Sequence, residues 1–159
     1  MDSIVSFLDG FSVALVIVLW GYTILNFRKL PEIIPIHFDL EGKPDNYGAK
    51  YFIFLLPIIG TLIYFFLSFN IKEINNYPVE ITQENKEIQF FIGMMAVKSI
   101  IAYVLFIFFT FQKRIVEIAV HQKDKKIPVI NLIGGLFGII GFFIILAIVT
   151  GKQIGRAHV

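Results

Sequence analysis

Four long stretches almost free of charge alternate along this chain with short polar connectors. Residues 10–27 (GFSVALVIVLWGYTILNF) carry no charge at all and approach the ~20 residues that a tilted helix needs to cross a bilayer. Residues 51–69 form a second such run, broken by Pro57 and Gly60, which predicts a kinked span serving either packing or a gating hinge. A third helix is predicted from about Gln83, with Thr82 as N-cap and Glu84 and Glu87 in its first turns. Its membrane part is placed at 88–111, with an amphipathic continuation toward Val120. The fourth span is placed at 128–150. The pattern therefore predicts an all-α fold, an integral membrane four-helix bundle in a single domain over residues 1–152, with a structured polar loop between helices 1 and 2.

Composition strengthens this reading. The chain has 159 residues, 57% of them hydrophobic, with 18 Phe and a mean hydropathy of +0.77, too apolar for a soluble domain of this size. The formal charge is only +2, and the basic residues cluster between apolar runs, which points to lipid headgroups and away from nucleic acid. The absence of Cys excludes disulfides, thiolate metal sites and cysteine nucleophiles. A cleavable secretory signal is the alternative for the first run, but residues 1–9 hold two Asp and neither Lys nor Arg, and no A-x-A-like cleavage site follows. Residues 153–159 (QIGRAHV) reverse-translate to a common sequencing-library adapter and are set aside as an artefact, His158 with them.

Basic residues also predict orientation. The first and third connectors hold nine (Arg28, Lys29, Lys43, Lys50; Lys113, Arg114, Lys123, Lys125, Lys126), whereas the other side holds Lys72, Lys86 and Lys152, with Arg156 in the excluded tail. The positive-inside rule then puts both termini outside the cytoplasm of a multi-pass cell-membrane protein. Gly134 and Gly138, continued by Gly141, make a small-xxx-small face through which helix 4 can approach a neighbour or a second copy.

Candidate chemistry concentrates in the first connector. Between residues 30 and 50, Pro31, Pro35 and Pro44 restrict the backbone and Gly42 and Gly48 permit φ > 0, so this loop is folded. His37, Asp39 and Asp45 could offer an imidazole and two carboxylates to a metal, or form a polar network with Asp45 capping a turn. Tyr47 and Lys50 suit an interfacial anchor. Lys98 lies deep in the third span, where a charge costs on the order of 3 kcal/mol. It requires a partner: a carboxylate of the first loop (Asp39, Glu41 or Asp45) or a carbonyl freed by Pro57, unless it snorkels. There is no nucleophile–base pair and no Gly-rich phosphate loop, and no cofactor is expected.

Leu30-Pro31-x-x-Ile34-Pro35-x-His37-Phe38-Asp39-x-x-Gly42-x-Pro44-Asp45-x-Tyr47-Gly48-x-Lys50 resembles a bacterial membrane family of unknown function. It is similar to the N-terminal half of immunity proteins against the sporulation-delaying toxin. A second block, Asn76-Tyr77-Pro78-Val79-x-Ile81-Thr82-x-Glu84-Asn85-x-x-x-Gln89, with Lys98 beyond it, resembles the short four-helix members. Asp39 departs from the Asn more usual after His-Phe, and the second domain of full-length immunity proteins is not seen. The resemblance implies a non-enzymatic membrane protein that binds a peptide toxin or a membrane or regulatory partner. A membrane enzyme with metal in the first loop and a transporter subunit are the other classes, the latter disfavoured by the lack of inverted repeats.

Overall fold

The computed structural model describes residues 2–70, 77–121 and 126–156. Four helices run antiparallel in sequence order: α1 (Asp2–Phe27), α2 (Leu55–Asn70), α3 (Lys86–His121) and α4 (Val129–Arg156). All four are long and apolar enough to cross a membrane once the turn preceding α2 is counted with it, and the protein is a multi-pass membrane protein. The polar loop expected after α1 is a small antiparallel hairpin, β1 (Ile33–Phe38) and β2 (Pro44–Ala49), followed by a 3₁₀ turn (Lys50–Phe54).

Helices α1 and α3 run parallel, and their contact sets the bundle. Asp9 meets Lys98 and Thr23 meets Gln112, both pairs separated by 89 positions in the chain. The two rungs lie two heptads apart on each helix, about 21 Å, so the same faces stay in register in the manner of a left-handed coiled coil. Ser12, Leu19 and Thr23 are buried on α1, and Lys98, Ile101, Leu105 and Gln112 on α3. Helix α2 closes in at Gly60, where an added methyl group would come within 3.0 Å of a Leu105 methyl.

Several expectations change. Helix α1 starts at Asp2, not at Gly10, because the flanking residues continue the same backbone pattern. Helix α3 continues past Phe111 toward Val120 as expected, unbroken for 36 residues to His121, and at about 54 Å it exceeds the ~30 Å hydrocarbon thickness. Its extension carries Ile115, Val116, Ala119 and Val120, which pack with Leu30, Ile34 and Ile53 into an apolar cluster under the hairpin. Pro57 lies inside the second span, just after a 3₁₀ turn passes into α2. The 3₁₀ turn ends at Phe54, so Pro57 falls in the first turn of α2, where its missing N–H has no helical acceptor to lose. The Pro57 carbonyl accepts from Thr61 Oγ1 at 2.7 Å, and Thr61 Oγ1 accepts from the Trp20 indole at 2.9 Å. Thr82 caps α3 as expected: its Oγ1 accepts from the N–H of Asn85 at 3.3 Å, and the Asn85 side chain accepts from the N–H of Thr82 at 2.8 Å. Within the chain the close approaches on α4 fall at Gly135, where a methyl would overlap the Tyr103 hydroxyl, and at Gly151, where it would come within 3.0 Å of Val79. Gly134, Gly138 and Gly141 face open space.

Candidate functional site

The hairpin is held at three places. At its base, Lys50 Nζ donates to Glu32 Oε1 at 2.8 Å, the Lys50 N–H donates to the Glu32 carbonyl at 2.9 Å, and the ammonium stands 5.4 Å over the Phe27 ring. Tyr47 is an exposed side chain on β2, beside this clasp and outside it. In the middle, Ile34 and Pro35 are buried, and Gly48 gives room to Ile36, whose Cδ1 lies only 2.8 Å from where a Cβ would stand. Pro35 pairs with Tyr47 across the ladder, and the register shifts immediately afterwards, between Pro35 and Phe38. A residue without an N–H is tolerated at such a bulge.

At the tip, Asp39 closes the turn. Its N–H donates to the Lys43 carbonyl at 2.9 Å, its Oδ1 accepts from the Lys43 N–H at 2.8 Å, and its carbonyl accepts from the Gly42 N–H at 2.9 Å. The turn needs only an acceptor here, which Asp and Asn both supply. Gly42 takes φ +79 and its carbonyl accepts from the Ile127 N–H at 3.1 Å; any Cβ would overlap the Ile127 backbone. Lys126 Nζ reaches Glu41 at 3.4 Å, and Lys43 lies 3.3 Å from the same carboxylate. The hydrogen bond from Lys43, then that from Lys126, hold the Glu41 carboxyl below its ordinary value. The tip is thereby latched to the start of α4.

The three proposed metal ligands do not converge. His37 Nδ1 lies 2.5 Å from Asp45 Oδ1, both side chains well exposed, while Asp39 is occupied in the turn. Among the described residues no group of three His, Asp or Glu side chains could hold a metal ion. Between the hairpin, the 3₁₀ turn and α3 lies instead a cleft of about 550 Å³. Its walls are apolar, with Ile34, Ile36 and Phe38 from β1, Leu55 and Leu56 from α2 and Phe111 from α3; His37 and Asn46 supply its polar edge. Phe38 stands edge-on to Phe111, with ring centroids 5.9 Å apart. Pro31 and Pro44 flank the strands, at the entry to β1 and the start of β2.

Lys98 is a correction. Its partner is the carboxylate of Asp9, not a loop carboxylate and not a carbonyl near Pro57. The loop lies at the far end of α1 and α3, so an ammonium nearer the beginning of α3 cannot reach it; on the parallel helix α1, the residue at its level is Asp9. The other rung was missed as well. Gln112 is fully buried and donates from Nε2 to Thr23 Oγ1 at 2.5 Å and to the Ile53 carbonyl at 2.8 Å, tying α1, α3 and the 3₁₀ turn together. Heptad spacing of polar residues from Asp9 to Thr23 and from Lys98 to Gln112 was the available signal.

In the second block, Gln89 is buried and donates to the Ala147 carbonyl at 3.1 Å and to Thr150 Oγ1 at 3.0 Å. Tyr77 and Pro78 line a smaller apolar cleft of about 200 Å³ between α3 and α4. Asn85 Nδ2 donates to the Glu80 carbonyl at 2.9 Å. Asn76 lies outside the described residues.

Residues 14–61 match a family described as "Domain of unknown function (DUF1648)". The match runs from within α1 through the hairpin and its clasp into the first turns of α2. The chain is also 34% identical over 64 residues to an "Uncharacterized protein" of Archaeoglobus fulgidus, an alignment covering 38% of this chain and 35% of that protein. It thus spans about a third of the length of this curated relative. No solved structure matches.

Proposed function

We propose that this protein acts by binding, and that the cleft beneath the hairpin receives an extended apolar segment of a partner peptide or protein at the membrane face. The observation that carries this reading is the cleft itself. It is an apolar recess of about 550 Å³, walled by a strand held rigidly at base, middle and tip, with a polar edge at His37 and Asn46. Such a recess can take two or three side chains of a segment while polar groups at the edge fix its direction. The resemblance of the hairpin sequence to that of toxin-immunity proteins supports a peptide or a regulatory protein as the partner. The excess of Lys and Arg at this end supports a cytoplasmic hairpin with both termini outside.

A photo-crosslinking residue in place of Phe52, on the cleft wall, should give a discrete adduct in native membranes. That adduct should be lost when Ile36→Trp fills the recess. A crosslinker at lipid-facing Phe137 should not give it. Equal adducts from both positions, or no effect of filling, would overturn the binding reading. Orientation is checked separately: a Cys at Ser3 or Glu80 should react with an impermeant reagent from outside, and one at Lys29 should not.

A further inference from the structure

A second recess lies on another face of α3, at the same end of the bundle. It measures about 350 Å³ and is lined by Phe106, Phe109, Thr110, Lys113, Arg114 and Glu117. These positions follow i, i+3, i+4, i+7 spacing, so they form one stripe along the helix. The stripe has a gradient: two rings at the membrane end, Phe106 exposed and Phe109 half-buried against Tyr22, then a hydroxyl, then an ammonium and a guanidinium about 10 Å further on. An amphiphile has the same gradient, with apolar chains below and a charged head above.

The two cations are prepared differently. The Arg114 guanidinium is three-quarters or more enclosed and clamped, with Nη1 donating to Glu117 Oε2 at 2.7 Å and Nη2 to the Lys126 carbonyl at 3.3 Å. Of its five N–H donors, two are thus engaged among the described residues, and its plane is fixed by them. Lys113 is more than half exposed, and its contact with Glu117 is stretched to 4.0 Å. The guanidinium already engages Glu117, which leaves the ammonium the more available cation for an incoming anion. Thr110 Oγ1 donates to the Phe106 carbonyl at 2.9 Å, so its oxygen faces the recess as an acceptor, suited to a glycerol hydroxyl and not to the phosphate.

We propose that this recess is a binding site for an anionic phospholipid, with the phosphate diester on Lys113 and the free edge of Arg114, and an acyl chain along Phe106 and Phe109. Basic clusters at the membrane surface attract such headgroups, each nearby cation contributing about fivefold in affinity. The site is distinct from the hairpin cleft and does not depend on what that cleft binds.

The test uses the full chain in detergent and native mass spectrometry, with added phosphatidylglycerol, phosphatidylcholine or sn-glycerol 3-phosphate. Phosphatidylglycerol should be retained in preference to phosphatidylcholine. Lys113→Gln should lower that retention about fivefold, and Phe106→Ala should lower it for both lipids. Lys29→Gln, which changes a cation at the same end that does not line the recess, should leave it intact. Thermal melts in phosphatidylcholine check that each variant is folded. Equal losses in Lys29→Gln and Lys113→Gln would mean a diffuse surface attraction and overturn the site. Full competition by glycerol 3-phosphate would mean a free phosphate ligand and overturn the lipid assignment.

Discussion

Replacing Asp9 should harm this protein more than replacing Lys98, although the two form one ion pair. The asymmetry follows from their surroundings. The Lys98 side chain is 7% exposed and that of Asp9 is 39% exposed. Helix α3 begins at Lys86, so Lys98 lies about 18 Å along it. Asp9→Leu strands an ammonium in the bundle, which costs about 3 kcal/mol or more. Lys98→Met leaves a carboxylate at the edge of the apolar part of α1, where headgroup water can reach it, and should cost ~1 kcal/mol. The double variant replaces the pair by apolar groups of similar volume and should lie close to the wild type. The coupling energy is then about 4 kcal/mol, of the kind that only contacting residues show. Thermal or SDS-induced unfolding in bicelles measures all four corners of the cycle. Additive losses would refute the pairing, and a Lys98→Met variant worse than Asp9→Leu would refute the account of its asymmetry.

The tip of the hairpin yields two further expectations. Gly42→Ala forces an L-residue to φ +79, at about 1–2 kcal/mol, and pushes a methyl into the Ile127 backbone. It should lower the melting temperature and remove hydrogen-exchange protection at the Ile127 amide, and unchanged protection would contradict the latch. Because the Glu41 carboxyl is held below its ordinary value in the folded state, its contribution is present above the ordinary carboxylate range and is lost as pH falls through its lowered value. Melts between pH 6 and pH 3 should therefore bring the wild type toward Glu41→Gln, with a small difference because the group is exposed.

The number of spans, their order and the folded nature of the first loop were legible, because apolar runs of ~20 residues and a Pro- and Gly-rich interval are strong local signals. The strands were not. Pro35 and the bulge after it interrupt the two-residue alternation that identifies a strand. The continuation of α3 toward Val120 was legible as an amphipathic stretch, but its packing under the hairpin was not, because its basic residues suit a connector as well as a helix that outruns the membrane. Thr23 and Gln112 sit near the ends of apolar runs, where a polar residue ordinarily meets headgroups, yet both are buried, Gln112 bonding Thr23 and the Ile53 carbonyl of the 3₁₀ turn. Of the candidate site, the turn residues Asp39 and Gly42 and the clasp residue Lys50 stood out beforehand. The recess beneath them did not, since it closes only when β1 meets walls from the 3₁₀ turn, α2 and α3, distant in the sequence.

The parallel pairing of α1 with α3 also bears on how the molecule is made. The two helices are not neighbours in the chain, so α1 and α2 enter the bilayer before the partner of Asp9 and Thr23 has been synthesised. Until α3 arrives, the first two helices can form only a provisional pair, held by the Trp20–Thr61 bond and the aromatic contacts of Phe27 and Phe54. When α3 enters, its two polar teeth must engage together: a slide of one residue shifts α3 by ~1.5 Å and turns it by ~100°, which disengages both. Membrane insertion thus ends in a keyed step, and a chain stopped short of Lys98 would leave its first helix in the bilayer with neither polar partner.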